Sequence, residues 1–235
     1  MNALIGYSGF VGSNLLTKIN NKKNIDLYNS KNITKIWKKK YKQIICAGLP
    51  AAKWIANKNA KKDNQNLKKL INNLNTIHCD FFILISTIDV HNSKETYGKN
   101  RKLLENFIKN KFKNFIIIRL PALFGKGIKK NIIFDLLNEN NLDKINVNDS
   151  FQWFDLSSLY KIINNIKKNK VKNKIIELYS KPISNKLIIK LFPNIKIKKI
   201  SQKPIYYNYK PKEGFYKNKK YILDKLTQFI QQYEK

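Results

Sequence analysis

The chain has 235 residues, 43% of them hydrophobic, with 47 Lys and Arg against 15 Asp and Glu, a formal net charge of +32 at pH 7. That length closes a real core and excludes a peptide-scale scaffold, and the hydrophobic share excludes bulk disorder. The charge points toward polyanions, yet arginine occurs only at positions 101 and 119. The other basic residues are lysine, which an A+T-rich genome over-supplies together with Asn and Ile, so most of the excess reads as a solvated surface rather than a phosphate-reading face.

Short apolar runs at 2–6, 25–28, 43–47, 81–86 and 115–119 read as strands, several of them continuously apolar, as strands covered on both faces must be. Between them lie stripes at helical spacing. Phe10, Leu15, Leu16 and Ile19 form the first, Leu67, Leu70, Ile71, Leu74 and Ile77 the second, and Leu103, Leu104, Phe107 and Ile108 the third. Alternation of this kind builds βαβ units, hence a parallel sheet with right-handed crossovers. Beyond Gly127 the pattern is less regular. Segments 132–137, 156–166, 185–192 and 221–233 read as helices and 175–178 as a strand. The expected division is a nucleotide-binding sheet over 1–125 and a small lobe over 126–235 that closes on it without being an independent domain.

Cys46 and Cys79 sit beside apolar runs and read as buried free thiols of a reducing compartment. Two His and two Cys at no ligand spacing predict no metal site. The first residues show no signal peptide, and no apolar run approaches the roughly 20 residues of a membrane span, so a cytoplasmic protein is expected.

Gly6-Tyr7-Ser8-Gly9-Phe10-Val11-Gly12 directly follows the first strand and opens the first helix. Glycines at such a junction permit a tight turn, close approach of a pyrophosphate and tight helix packing, and the helix N-terminus turns free N–H groups to the phosphates. The spacing is G-x-x-G-x-x-G, and four further motifs follow in order. They are Ile44-Ile45-Cys46-Ala47-Gly48, Ile85-Ser86-Thr87-Ile88-Asp89-Val90, Tyr97-Gly98-Lys99-Asn100-Arg101, and Arg119-Leu120-Pro121-Ala122-Leu123-Phe124-Gly125. Together they resemble the extended short-chain dehydrogenase/reductase family, the epimerase/dehydratase group that works largely on nucleotide sugars, over roughly residues 2–125.

The resemblance implies a Rossmann-type doubly wound parallel sheet with a small C-terminal α/β substrate lobe. It also implies NAD or NADP bound along Gly6, Ser8, Gly9, Phe10, Val11 and Gly12, with Asn29, Ser30 and Lys31 at the ribose, Ala47 and Gly48 beside the cofactor, and Pro121 at its nicotinamide end. The family's NAD-binding Asp has no counterpart at Asn29 or Ser30, which leans the choice toward NADP. Tyr97 takes the acid/base place, Thr87 the substrate-orienting hydroxyl, and Arg101 the cation that must stabilise a phenolate, one helical turn from Tyr97. Arg101 stands where the family has Lys; as an exposed residue it would instead pair with Glu105. Ser86, Asp89, Gln152 and Trp153 are secondary substrate candidates.

The function these expectations describe is NAD(P)-dependent oxidoreduction, epimerisation or dehydration of a sugar or nucleotide-sugar. Thr87 and Tyr97 are only ten residues apart, closer than the family norm, and the loop after 115–119 lacks the Asn often used for substrate, so the sugar pocket is expected to be reduced or altered. A non-catalytic NAD(P)-binding sensor or assembly protein is the alternative. A basic nucleic-acid binder ranks third, suggested by the mixed lysines and tyrosines of 203–221, whose rings are expected to pack inward. No specific nucleic-acid partner and no membrane are expected, and a homodimer is left open.

Overall fold

The computed structural model describes residues 1–20, 22–92, 94–197 and 202–233. They fall into two compact units. The first comprises Met1–Arg119 and Ser158–Ile176, the second Leu120–Ser157 and Glu177–Lys235.

Three strands open the chain: β1 (Asn2–Ile5), β2 (Ile25–Tyr28) and β3 (Lys40–Cys46), with α1 (Phe10–Lys18) between the first two. After β3 come α2 (Lys53–Lys58), α3 (Ala60–Asn75), β4 (His78–Thr87), α4 (Thr96–Lys111) and β5 (Phe115–Leu120). The next elements are β6 (Ala122–Phe124), α5 (Ile132–Leu137), β7 (Ser150–Phe151) and β8 (Trp153–Asp155), followed by α6 (Leu159–Lys168) and β9 (Lys174–Glu177). The chain closes with β10 (Ile183–Ser184), α7 (Asn185–Ile189) and α8 (Lys219–Tyr233).

The sheet of the first unit has the order β2-β1-β3-β4-β5-β9. β1 runs parallel to both β2 and β3, and β3 parallel to β4, with Ile5 level with Tyr28 and with Cys46. This is the Rossmann-type doubly wound arrangement. Strand order reverses between β1 and β3, and a crevice opens outside the carboxyl ends of strands at such a switch point.

The buried positions explain why these runs are strands. Ala3, Ile5, Ile44, Cys46, Phe82, Leu84 and Ile117 face one way into a core shared with Leu67, Leu70 and Leu74 of α3 and Leu104 and Ile108 of α4. The alternate residues Leu4, Ile45, Ile83, Ile116 and Ile118 are buried as well. Both faces being covered removes the polar alternation of a half-wet sheet. α3 begins where the Asn59 side chain accepts the Lys62 N–H, and it buries Asp63 and Asn73 along with its leucines.

The expected break at 125/126 differs from the observed one because residues 158–176 return to the sheet unit. α6 buries Leu159, Ile163 and Ile166 on one stripe. β9 then joins the free edge of β5, where the Asn173 N–H donates to the Phe115 carbonyl at 2.6 Å and the Phe115 N–H to Asn173 Oδ1 at 3.1 Å.

In the second unit β6 pairs parallel with β8, and β7 antiparallel with β10. Trp153, Phe154 and Phe124 are fully buried there, and α8 packs against β8 through its buried face, Ile222, Leu226 and Ile230. Tyr207 packs on Phe151 and Tyr216 on Phe154, with ring centroids 5.6 and 5.3 Å apart, so part of the 203–221 tyrosine set turns inward while Tyr206 is exposed. Among the described residues no helix is long and apolar enough to cross a membrane.

Candidate active site

The glycine loop joins β1 to α1 at the switch point. Gly6 has φ +84°, a left-handed conformation, and a Cβ there would come 2.3 Å from the Ala47 carbonyl oxygen. A Cβ on Gly12 would come 2.0 Å from the Gly6 carbonyl, so any side chain at Gly12 would push α1 off the loop. Gly9 is exposed and meets only the Gly6 carbonyl, at 3.4 Å. It begins α1 without a side-chain cap, and the first turn carries no acidic residue. That leaves an uncapped, unopposed helix N-terminus, which suits phosphate.

A cleft of about 200 Å³ opens beside this loop. It is lined by Gly6, Ser8 and Gly9, by Asn29, Ser30 and Ile33 after β2, by Ala47, Gly48, Leu49 and Pro50 after β3, and by Asn66, Lys69 and Leu70 of α3. Amides at one end and the apolar walls of Ile33 and Leu70 fit a dinucleotide's phosphates and base, so the residues present fit the cofactor. Of the expected binding residues, Phe10 and Val11 are half-buried in the first turn of α1 and outside this lining.

Lys31 is exposed and also outside it. A lysine that does line the cleft is Lys69, whose Nζ donates to the Ser30 carbonyl at 3.0 Å. Asn29 is tied locally: its Nδ2 donates to the Tyr7 hydroxyl at 3.2 Å and its Oδ1 accepts the Lys31 N–H at 2.9 Å. Asp26 is no ribose ligand, because its Oδ2 accepts from Tyr28, Tyr41 and Lys39. Pro121 lies buried in the second unit, between β5 and β6.

Thr87 ends β4, and Tyr97 lies in the first turn of α4. Thr87 approaches the Tyr97 phenol and acts to lower its pKa. Thr87 also caps the following turn by accepting the Asp89 N–H at 3.2 Å, and its hydroxyl donates to Asp89 Oδ2 at 3.1 Å. Asp89 is itself held by Lys53 at 3.0 Å, and the same Lys53 pairs with Glu95 at 2.8 Å. Lys53, first among the contributors, holds the Glu95 carboxyl below its usual range. Asn57 donates to Glu95 Oε2 and accepts the Tyr97 backbone N–H. Asp89, Glu95 and the Tyr97 backbone are thus held by α2, an element the sequence reading missed because its six residues carry no apolar stripe.

Arg101 is placed otherwise than expected. It is buried, its guanidinium carbon lies 3.9 Å from the centroid of the Tyr97 ring, and it donates to Asp63 Oδ2 and to the Pro50 carbonyl. Asn100 donates to the same Asp63 oxygen at 2.8 Å. The guanidinium therefore stacks on the ring instead of reaching the hydroxyl. Burial, the largest influence, outweighs Arg101 and pushes the Tyr97 phenol above its ordinary value; Asp89 and Asp63 push the same way. The expected phenolate-stabilising cation thus does not prevail.

Glu105 is not the partner of Arg101. It is fully buried and takes a two-pronged bond from Arg119, at 2.9 and 2.7 Å, plus the Ser86 hydroxyl at 2.7 Å. Ser86 is accordingly directed at an internal carboxylate, not at a substrate. Gln152 and Trp153 are corrected too. Both are 1% exposed; the Gln152 amide bonds the Ser180 and Tyr209 carbonyls and the Tyr209 N–H, and the Trp153 ring is core. Asp63 and Lys69 escaped sequence reading. Asp63 did leave a signal, as an acid on the apolar stripe of a lysine-rich helix, four residues before Leu67.

No family model and no curated protein matches the chain. Solved structures do. The dTDP-4-dehydrorhamnose reductase of Yersinia enterocolitica superposes with a TM-score of 0.70 at 11% identity over 99% of both chains. The UDP-glucose 4-epimerase of Thermotoga maritima, solved with UDP-glucose, gives 0.65 at 13% identity over 100% of this chain and 99% of that one. The dTDP-glucose 4,6-dehydratase of Bacillus anthracis, solved with NAD, gives 0.62 at 13% identity over 100% and 96%. The chain has the fold of these extended short-chain dehydrogenases/reductases, the one its glycine loop and the order of its motifs imply.

Proposed function

We propose that the protein is an NAD(P)-dependent oxidoreductase acting on a nucleotide-linked sugar, with Tyr97 as acid/base and Thr87 orienting the reacting oxygen. The observation that carries this reading is the approach of Thr87, at the end of β4, to the Tyr97 phenol in the first turn of α4, in the same unit as the uncapped glycine-loop helix. The nicotinamide cofactor supplies hydride chemistry when bound. Gly6, Ser8 and Gly9 hold its diphosphate and Ser30 its ribose, while Thr87 fixes a substrate oxygen where the Tyr97 hydroxyl exchanges a proton with it. The absence of a cleft carboxylate at Asn29 and Ser30, with Lys69 alongside, favours NADP over NAD.

The similar proteins include a reductase, an epimerase and a dehydratase of nucleotide sugars, which supports that substrate class. A non-catalytic NAD(P)-binding role is the second reading, favoured by Arg101 being held on the ring face by Asp63. One experiment separates them: cofactor fluorescence on binding, and turnover with a panel of nucleotide sugars, for wild type, Tyr97→Phe and Gly9→Asp. The expected result is NADPH binding tighter than NADH, unchanged in Tyr97→Phe and lost in Gly9→Asp, with turnover in Tyr97→Phe down by about 10²–10⁴-fold. Cofactor binding with no turnover of any nucleotide sugar favours the non-catalytic role, and binding of neither cofactor removes both.

A further inference from the structure

The charge balance beneath the Tyr97 ring is unusual for a site that needs a cation. Arg101 and Asp63 are a buried pair, their side chains 6% and 3% exposed. Every strong bond of the guanidinium is internal: Asp63 on one side, the Pro50 carbonyl on the other, and the Tyr97 carbonyl at 3.4 Å. Asp63 is further fixed by Asn100, whose amide donates at 2.8 Å. A guanidinium so held cannot swing to the phenol oxygen, and the carboxylate beside it offsets its field there.

The groups facing Tyr97 are Arg101 on its own helix, Asp63 on α3, Thr87 at the end of β4 and Asp89 in the turn that follows it. Lys53 of α2 is paired with Asp89 and Glu95. Asp89 and Asp63 act on the phenol in the same direction as its burial, opposed to Arg101.

We propose that Asp63 is a positioning residue that holds Arg101 as a neutralised clamp on the Tyr97 ring, keeping Tyr97 a protonated phenol and setting the site to donate a proton to a substrate carbonyl oxygen. This rests on the oxidoreductase reading above. A bound reduced nicotinamide would supply the hydride for the carbonyl carbon, and the C=O π pair would take the Tyr97 proton. The product is an alcohol, with an oxidised cofactor and a phenolate that water reprotonates.

The test reads the Tyr97 proton itself, through the tyrosinate absorbance difference between each protein and its counterpart carrying Tyr97→Phe. Asp63→Asn keeps a hydrogen-bond acceptor but frees the Arg101 charge, so the Tyr97 midpoint is expected to fall by about one pH unit. Asp63→Glu, which keeps the charge, is expected to stay near wild type. Should Asp63→Asn not fold, Arg101→Gln leaves Asp63 unopposed, and the midpoint must rise. An unmoved midpoint in folded Asp63→Asn, or no rise in Arg101→Gln when only that variant folds, overturns the proposal. Where turnover is found, the high-pH limb of the carbonyl-reduction profile is expected to move down with the midpoint in Asp63→Asn, and a limb that stays put likewise overturns it. Because the absorbance measurement needs no turnover, an inactive wild type with the shift intact counts against the oxidoreductase reading and not against the Asp63 clamp.

Discussion

The two arginines stand out in a lysine-rich chain, and both are buried, Arg101 at 5% and Arg119 at 6% exposure. Arginine suits such places because its planar fork meets a carboxylate with two parallel bonds where an ammonium offers one point of charge. Arg119 uses that fork on Glu105, which is fully enclosed and also takes the Ser86 hydroxyl. A buried pair of this kind adds little net stability, but removing one member strands the other in a poor solvent. Arg119→Met is therefore expected to lower unfolding free energy by about 3–5 kcal/mol in urea titration, while the double change Arg119→Met, Glu105→Met costs far less, since no charge is left behind. A single variant as stable as wild type would show that Glu105 finds another partner, with Lys102 Nζ, 3.9 Å away, the first to test.

Among the elements, α4 carries the densest information, because Tyr97, Gly98, Asn100, Arg101, Leu104, Glu105 and Ile108 are all buried along it. Gly98 lets the helix lie against the turn at 88–91: a Cβ there would come 2.1 Å from the Asp89 carbonyl oxygen and 2.4 Å from that of Asn92. Both are backbone atoms, so neither gives way as a flexible side chain would. Gly98→Ala is expected to move α4 off the turn, costing about 1–3 kcal/mol and parting Tyr97 from Thr87. Turnover should fall well beyond any change in cofactor affinity, and equal losses in both would mean that the damage reaches the glycine loop.

The same helix shows what a sequence discloses. Its apolar stripe and the Tyr97-to-Arg101 spacing were legible, and so was the shared face of the two residues. The destination of the guanidinium was not, because Asp63 approaches from α3, 38 positions earlier, and only tertiary packing brings the two together. The same holds for α2, too short to show a period, and for residues 158–176, whose helical pattern was visible but whose return to the sheet depended on the free edge of β5.

For the molecule as a whole, the five N-terminal strands and the helices α1, α3 and α4 were readable because apolar runs mark the strands and apolar stripes the helices. The second unit was less so: β6, β7, β8 and β10 are two or three residues long and are defined by their partners rather than by their own sequence. The net charge of +32 is a property at this scale as well. Phosphate recognition with geometric specificity favours arginine forks, and both arginines of the chain are enclosed in ion pairs with Asp63 and Glu105. What remains at the surface is lysine, each a strongly hydrated point charge that neutralises a phosphate by releasing a counterion without reading sequence. Binding to DNA or RNA is therefore expected at low salt, equal across sequences, with log affinity falling steeply and linearly in log salt and lost by about 0.2 M. A nitrocellulose filter titration across salt concentrations with two unrelated duplexes measures this. Affinity that survives at that salt, or that separates the two sequences, would show a built nucleic-acid site and return the charge to the centre of the protein's function.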